Sequence, residues 1–230
     1  EVARQFKRYD LMSAPVVDKN NRLVGVVTVD DVVEVIQDEA EEDMKALAGV
    51  GDESLAGTVL ETVRSRVPWL IVNLGTAILA SSVIKAFDAT IEQMVALAVL
   101  MPIVASMGGN AGTQTMTVTV RALATNKLGR LNAPRVITRE GLVGLCNGIV
   151  LSTLLAIVVY LWFGQGKLGL VIGAAMIVNS IAAGLAGILV PLAMDSLDLD
   201  PAPASGVFVT MITDVVGFFA FLGLASYWLM

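Results

Sequence analysis

The chain contains five apolar stretches, each long enough to cross a lipid bilayer. A bilayer core about 30 Å thick requires roughly 20 apolar residues in a helix. The stretches are Pro68–Ala86, a segment within Glu92–Ala124, Gly141–Phe163, Leu168–Met194 and Ala202–Met230. Only 16% of the 230 residues are charged, whereas soluble domains carry about 25%. We therefore predict a mainly α, polytopic membrane protein with five transmembrane helices.

Positive charges predict how these spans are oriented. Arg64 and Arg66 precede the first span, and the two loops on the opposite face, 85–91 and 164–167, hold one lysine each. The loop between the second and third spans is the most basic, with Arg121, Lys127, Arg130, Arg135 and Arg139. Because loops rich in Lys and Arg stay in the cytoplasm, we predict a plasma-membrane protein with a cytoplasmic N-terminus and an extracytoplasmic C-terminus.

The first 67 residues are polar and acidic, with 14 acidic and 8 basic side chains. Within them, residues 14–36 predict a strand, a turn at Asn20-Asn21, a second strand and a helix from Asp30. Asp30 or Asp31 is expected to cap that helix, because a carboxylate oxygen accepts its free backbone N–H groups. The chain opens without an initiator methionine or a signal peptide, so we expect a part of a longer protein.

Residues 30–53 contain ten acidic side chains and one basic side chain. The acids recur at three- to four-residue spacing over Asp31–Leu47, which predicts a helix. Such a run is commonly a solvated helix face. Alternatively, the carboxylates bind hard cations such as Mg²⁺ and Ca²⁺, and their mutual repulsion makes the helix responsive to cation screening. Gly49, Gly51 and Gly57 then predict a hinge before the first span.

The second span carries a proline and three glycines within Pro102–Gly112. This composition predicts an interrupted or bent helix, and small residues also allow close helix packing. Four polar residues recur along one face of this helix, and we call them the polar stripe: Asn110, Gln114, Thr117 and Arg121. Lipid does not solvate such a stripe, so another helix or water must face it.

The fifth span has one charged residue, Asp214, near its middle. A charge there costs about 3 kcal/mol on insertion scales and marks a functional site by default. No span has Lys or Arg in its interior, so a buried ion pair is not expected. Thr210 and Thr213 share the face of Asp214, and oxygen ligands of this kind suit a hard cation. One acid per chain also suggests a two-fold axis that pairs two copies of Asp214.

Residues Gly25-Val-Val-Thr-Val-Asp-Asp-Val-Val33 resemble the end of a CBS domain. In that family, the threonine and aspartate that match Thr28 and Asp30 contact the ribose or phosphate of an adenine nucleotide. CBS domains work in pairs, and the sequence contains only the last part of one. We therefore do not expect this chain to bind the nucleotide.

Together with Gly108-Gly-Asn-Ala-Gly-Thr-Gln114 and Thr213-Asp-Val-Val-Gly217, the whole chain resembles the MgtE family of magnesium channels. The resemblance implies a partial CBS domain at 1–37, an acidic connecting helix and hinge at 38–66, and a five-span pore domain at 67–230. It also implies a homodimer without enzymatic activity. The pore would lie on the two-fold axis, select Mg²⁺ and respond to cytosolic Mg²⁺ through the acidic region.

Site residues also follow from the resemblance. It assigns the pore Mg²⁺ site to Asp214, the carbonyl of Thr210, Asn110 and Gly109, and a site at the cytosolic mouth to Asp200. The regulatory Mg²⁺ positions match Asp10, Asp31, Glu34, Glu39, Glu42 and Asp43. The family's N-terminal acidic domain and first CBS domain are not found in the sequence, so we expect pore function with weakened inhibition by Mg²⁺.

Other functions were weighed against this one. A transporter of Co²⁺, Ni²⁺ or Mn²⁺ would use the same architecture, although the absence of histidine and the single Cys146 disfavour softer metals. An intramembrane aspartyl protease needs two carboxylates that share a proton, whereas the spans offer one per chain. A membrane scaffold leaves Asp214 unexplained, and an anion channel would require basic groups in the pore.

Overall fold

A computed structural model describes residues 2–50, 57–125, 127–129 and 132–229. Gly51 of the predicted hinge and Arg130 of the basic loop lie outside the described residues, as does the side chain of Asp43. The described elements, in chain order, are α1 Val2–Tyr9, β1 Ser13–Val17, β2 Leu23–Thr28, α2 Val29–Leu47, α3 Val59–Lys85, α4 Asp88–Gln93, α5 Ala96–Ala124, α6 Ala133–Phe163, α7 Gly166–Ser196 and α8 Pro201–Trp228.

Five of these helices, α3, α5, α6, α7 and α8, are long and apolar enough to cross a membrane. The prediction of a mainly α protein with five transmembrane helices is confirmed. Helices α3 and α6 begin well before the apolar stretches that predicted them, at Val59 and Ala133. The short α4 in the first connection was not predicted, since six residues are too few for a helical periodicity to be read.

Helix α7 is the centre of the membrane bundle. It packs on α6 along one side and on α5 and α8 along the other. Close approach to α6 depends on glycine: a Cβ at Gly144 would lie 2.6 Å from the carbonyl oxygen of Ser180, and one at Gly148 would lie 2.9 Å from Cα of Ile177. Helix α3 is peripheral and packs mainly against α8.

Two apolar clusters hold the bundle together. The larger cluster joins the N-terminal half of α5 to the C-terminal half of α8, with Leu100, Val104 and Phe221 fully buried against Ile172 of α7. The smaller cluster surrounds Met116 and includes the partly buried Leu47 of α2. The end of α2 therefore packs directly on the membrane bundle.

Helix α5 runs without a break from Ala96 to Ala124, so the predicted interruption is wrong. Two of its glycines serve packing instead. A Cβ at Gly112 would lie 2.6 Å from Cγ1 of Val209 on α8, and one at Gly108 would overlap the side chain of Asn179 on α7. Pro102 lies in the second turn of α5, where its missing N–H removes one hydrogen bond near the helix start.

The N-terminal segment forms the predicted strand–turn–strand–helix unit. Strands β1 and β2 pair antiparallel with Ser13 opposite Thr28. Helix α2 begins at Val29 with Thr28 as its N-cap, one residue before the predicted start at Asp30, and the predicted capping is made by Asp31 as the third residue of a capping box. Asp31 lies inside the first turn and accepts hydrogen bonds from the backbone N–H (2.8 Å) and the hydroxyl (2.7 Å) of Thr28. Helix α2 then continues across residues 37 and 38 without a break.

Candidate cation site

Asp214 lies at the midpoint of the 28-residue α8. Its side chain is half-buried against the bundle. In the described part of the chain, the carboxylate has neither a hydrogen bond nor an ion pair. A carboxylate at membrane depth without an internal partner requires a cation, water or a second chain to stabilise its charge.

Thr210 lies one turn before Asp214 and lines the same side of α8. Its hydroxyl donates to the carbonyl oxygens of Gly206 and Val207, both at 3.0 Å. Its own carbonyl oxygen accepts the hydroxyl of Thr213 at 2.9 Å. The hydroxyls thus bond along α8, and a bound cation would meet carbonyl oxygens that already carry these hydrogen bonds.

Gly109 of α5 faces this part of α8. A Cβ at Gly109 would lie 3.9 Å from Cγ2 of Thr210, which is ordinary van der Waals contact. The hydroxyl of Thr113, one turn further along α5, donates to the carbonyl of Gly109 at 2.8 Å. The structure therefore brings Gly109 and Thr210 together, with Asp214 one turn further along α8.

Asn110 lies on a different side of α5. It lines a cavity of about 320 Å³ between α5 and α6, together with Gln114 and Asn147. Every member of the polar stripe, from Asn110 to Arg121, is exposed in the single chain. Within one chain, Asn110 does not join Gly109 and Thr210.

A cavity of about 420 Å³ lies at the end of the bundle where α2 meets α5 and α8. Thr113 of α5, Thr210 of α8 and Asn73 of α3 line it, together with Leu47 at the end of α2 and Gly49 just after that helix. Six water molecules occupy about 180 Å³ at about 30 Å³ each. By volume alone, the cavity, which Arg66 also lines, is larger than a Mg²⁺ ion with its complete inner hydration shell, which this ion gives up reluctantly.

Asp200 caps α8 at its N-terminus. Its Oδ1 accepts the backbone N–H of Ala202 at 2.9 Å, and the side chain is exposed. The second carboxylate oxygen makes no bond within the described residues, so Asp200 can both start α8 and offer one oxygen to an ion at this mouth of the bundle.

The acidic residues of the N-terminal segment are spread along exposed surfaces. Asp10, Glu34, Glu39 and Glu42 are all exposed. Among the described residues, no group of three or more acidic, histidine or cysteine side chains could hold a metal ion. Helix α2 therefore presents an acidic surface, and the predicted regulatory residues do not form a compact site in the described part of one chain.

Thr28 and Asp31 bond to each other at the start of α2. The backbone and hydroxyl of Thr28 donate to Asp31 and lower the pKa of that carboxyl below its ordinary value of 3.8. The hydroxyl of Thr28, which the CBS resemblance assigned to nucleotide contact, therefore serves the helix start, and Asp30 is exposed beside it.

One residue near the site was not predicted. Asn179 lies in the middle of α7 and is completely buried, with its amide donating to the carbonyl of Val104 on α5 at 2.9 Å. The sequence did contain a signal, because Asn179 is the single carboxamide in the apolar stretch Leu168–Met194 and polar side chains at membrane depth bond across helices.

The amino-acid sequence of the chain is similar to that of known membrane transporters. A sequence model of the MgtE family, described as a divalent cation transporter, matches residues 101–224, and a CBS domain model matches residues 1–38. Proteins named magnesium transporter MgtE are 37% identical in Bacillus subtilis over 227 residues, 39% in Enterococcus faecalis over 226 and 39% in Thermus thermophilus over 229.

Each alignment covers 98% of this chain and 50% of the relative. The chain thus spans about half the length of the curated relatives that it matches. These relatives are transporters, which fits the expectation of a protein without enzymatic activity. The family match covers more than half of the chain and includes both α5 from Met101 onward and the Asp214 region of α8, so the chain belongs to the MgtE family of divalent cation transporters.

Proposed function

We propose that this chain forms the Mg²⁺ pathway of a membrane channel, with α5 and α8 as walls and Asp214 as the ion-selecting carboxylate. The carrying observation is the half-buried Asp214 at the midpoint of α8, which has no partner among the described residues. The three relatives named magnesium transporters support Mg²⁺ as the transported ion.

The chemistry of the site favours a hydrated ion. Mg²⁺ keeps octahedral geometry and releases water slowly, so a pathway that stripped every water would be slow. Asp214 acts on the ion through its water ligands, and carbonyl oxygens near Thr210 accept hydrogen bonds from the same waters. Gly109 leaves the opposite wall without a side chain and so keeps the passage wide.

A second copy of the chain completes the pathway. Asp214 is half-exposed and the polar stripe is exposed along its length, and neither feature suits contact with lipid. A two-fold axis beside α5 and α8 would place two copies of Asp214 across one pore. Asn110 would then contribute to the pore in the assembled dimer.

Cytosolic Mg²⁺ regulates this pathway through α2. The C-terminal end of α2 reaches α8, where a Cβ at Gly206 would lie 3.9 Å from the carbonyl oxygen of Leu47. Bound cations reduce the repulsion between carboxylates along α2 and hold this end of the helix over the cavity described above. The basic loop between α5 and α6 supports a cytoplasmic location for this side of the membrane.

The test is Mg²⁺ entry into liposomes that contain a fluorescent Mg²⁺ indicator. We expect Asp214→Asn to reduce the entry rate by about tenfold or more, equivalent to about 1.4 kcal/mol. Glu92→Gln removes a charge of the same sign from an exposed position on α4 and should leave the rate unchanged. Equal rates in the wild type and Asp214→Asn would reject the selecting role of Asp214.

Competition distinguishes Mg²⁺ from other divalent ions. An excess of Co²⁺, Ni²⁺ or Mn²⁺ is added outside the same liposomes, and entry of each ion is measured separately. Rapid entry of one of these ions without entry of Mg²⁺ would mean that the same five-helix architecture transports that ion and not Mg²⁺.

A further inference from the structure

A buried carboxamide joins three membrane helices at the level of Asp214. Asn179 of α7 is fully buried, and its Nδ2 donates to the carbonyl oxygen of Val104 on α5 at 2.9 Å. Other buried polar residues of the bundle, such as Thr119 and Thr213, bond to the backbone of their own helix. Asn179 instead donates its hydrogen bond to the backbone of a neighbouring helix.

Two glycines make room for this carboxamide. A Cβ at Gly108 of α5 would overlap the amide nitrogen of Asn179, and a Cβ at Gly217 of α8 would lie 2.7 Å from the same atom. Gly108 precedes Gly109 directly, and Gly217 follows Asp214 by less than one helical turn. The carboxamide therefore fills the space between α5 and α8 next to Gly109 and Asp214, the residues of the proposed ion pathway.

The second polar atom of Asn179 has no partner. Its Oδ1 is buried and accepts no hydrogen bond within the described residues. Leaving a buried carbonyl unbonded is unfavourable, whereas an apolar side chain would carry no such cost. Packing alone therefore does not explain a carboxamide at this position.

We propose that Asn179 is a positioning residue for the cation pathway. Its carboxamide fixes the distance between α5 and α8 beside Asp214, and this distance sets how a hydrated ion fits between Gly109 and the carboxylate. A change in the distance alters which ion passes most readily. The inference rests on the proposed Mg²⁺ pathway and adds a residue from a third helix that does not face the ion.

The test compares Asn179→Ala, Gly217→Ala and the double variant in liposomes. Asn179→Ala empties the space between the helices, and Gly217→Ala forces a methyl group against the amide, which must shift and so disturbs its bond to Val104. The double variant places the new methyl group where the amide was removed. The measured quantity is the ratio of Mg²⁺ entry to Ca²⁺ entry, because a loss of folded protein lowers both rates together and leaves their ratio unchanged.

We expect each single variant to change the ratio by about threefold or more, as for side chains coupled by direct contact, and the double variant to return it toward the wild-type value. Because the single variants disturb one contact from opposite sides, either one that folds is sufficient. Ser180→Ala is the matched control: Ser180 is the next residue of α7, is also buried, and packs against Gly144 and Gly148 of α6. Its ratio should equal that of the wild type.

The results separate this inference from the proposed function. If Asp214→Asn reduces Mg²⁺ entry while folded Asn179→Ala or Gly217→Ala keeps the wild-type ratio, Asn179 has no positioning role and the pathway stands. A wild-type chain that passes Ca²⁺ but no Mg²⁺, or no ion at all, overturns the proposed function and this inference with it.

Discussion

A Cβ at Gly187 of α7 would lie 2.7 Å from the carbonyl oxygen of Gly112 and 2.8 Å from Cβ of Thr115. Both neighbours belong to α5, and the first is a backbone atom that cannot rotate away. We expect Gly187→Ala to lower the free energy of unfolding by about 1–3 kcal/mol, the usual cost of overpacking. Thermal unfolding in detergent, followed by the loss of the monodisperse peak in size-exclusion chromatography, measures the change.

The control for Gly187 is Gly75 of α3, where a Cβ would meet nothing within 4 Å. Gly75→Ala should leave the unfolding temperature unchanged or raise it slightly, because alanine favours the helix. If both alanine variants were as stable as the wild type, the result would contradict the close packing of Gly187 on α5.

Protonation of Asp31 affects the start of α2. The hydrogen bonds from Thr28 lower the pKa of this carboxyl, so its stabilising effect is complete above pH 3.8 and is lost as the pH falls through the lowered value. We expect Asp31→Asn to speed hydrogen exchange of the Thr28 amide at pH 7 relative to the wild type. The difference between the two proteins should shrink as the pH falls from 3.8 through the lowered pKa of Asp31, where the wild-type carboxyl also loses its charge.

Asp30→Asn provides the comparison for Asp31. Asp30 is exposed one residue earlier in the same turn, and its carboxylate makes no bond to Thr28. Exchange of the Thr28 amide should be the same in Asp30→Asn and the wild type. Equal exchange in Asp31→Asn and the wild type at pH 7 would contradict the bond between Thr28 and Asp31.

At the level of helices, the contact between α2 and α8 connects the acidic segment to the site. We expect the pair Leu47→Cys and Gly206→Cys, placed in a Cys146→Ser background, to crosslink with a short bifunctional maleimide. The crosslink holds the end of α2 over the cavity, so Mg²⁺ entry should fall and no longer respond to cytosolic Mg²⁺. Cys146 is removed first because it is an exposed thiol.

Each single cysteine variant, treated with the same reagent, controls for simple modification of the thiol. A crosslinked protein whose Mg²⁺ entry still rises when cytosolic Mg²⁺ is removed would show that α2 regulates the pathway from another position, or not at all.

The helices differ in how well the sequence predicted them. The five spans were predictable because length and hydropathy alone define a membrane-crossing helix. The course of α5 was not, since Gly108 and Gly112 are compatible both with a broken helix and with close packing, and only the positions of Asn179 and Val209 decide between these. Thr28 was missed as the N-cap because Thr28, Asp30 and Asp31 are all residue types that cap helices, and the sequence does not show which of them comes first.

The residues of the site also differ in how well the sequence predicted them. Asp214 stands out because any charge in an apolar stretch is unusual. The family resemblance assigned Asn110 and Gly109 to one site, yet neighbouring residues on a helix point about 100° apart, and Asn110 lines the space between α5 and α6. Asn179 was missed because its role depends on two glycines in other helices, which no local pattern connects to it.

At the level of the whole molecule, the exposed polar stripe predicts that water, and not lipid, contacts this face of α5 in the assembled protein. We expect a cysteine at Asn110 or Thr117, in the Cys146→Ser background, to react with a charged, membrane-impermeant thiol reagent in the assembled protein. Ile149 of α6 is also exposed in the single chain, with 51% of its surface accessible, and a cysteine there should react only with a lipid-soluble maleimide. The reaction rates of the three variants measure the difference.

Equal, slow labelling of all three cysteines by the charged reagent would place the stripe in lipid or in a dry helix interface. In that case the polar stripe of α5 would not line the proposed water-filled pathway. Fast labelling at Asn110 and Thr117 that is blocked by millimolar Mg²⁺ would give direct support to ion entry along this face.

The short connection between α6 and α7 has a consequence for how the protein is made. Helix α6 ends at Phe163 and α7 begins at Gly166, with Gly164 in the left-handed conformation at the turn. The two helices can therefore leave the translocon as one hairpin, with α6 already packed on α7 at Gly144 and Gly148. Helix α8 is synthesised after α5, α6 and α7, so these helices can already be in place when it inserts. Asp214 then enters the membrane against a finished protein surface, and its charge need not cross lipid alone.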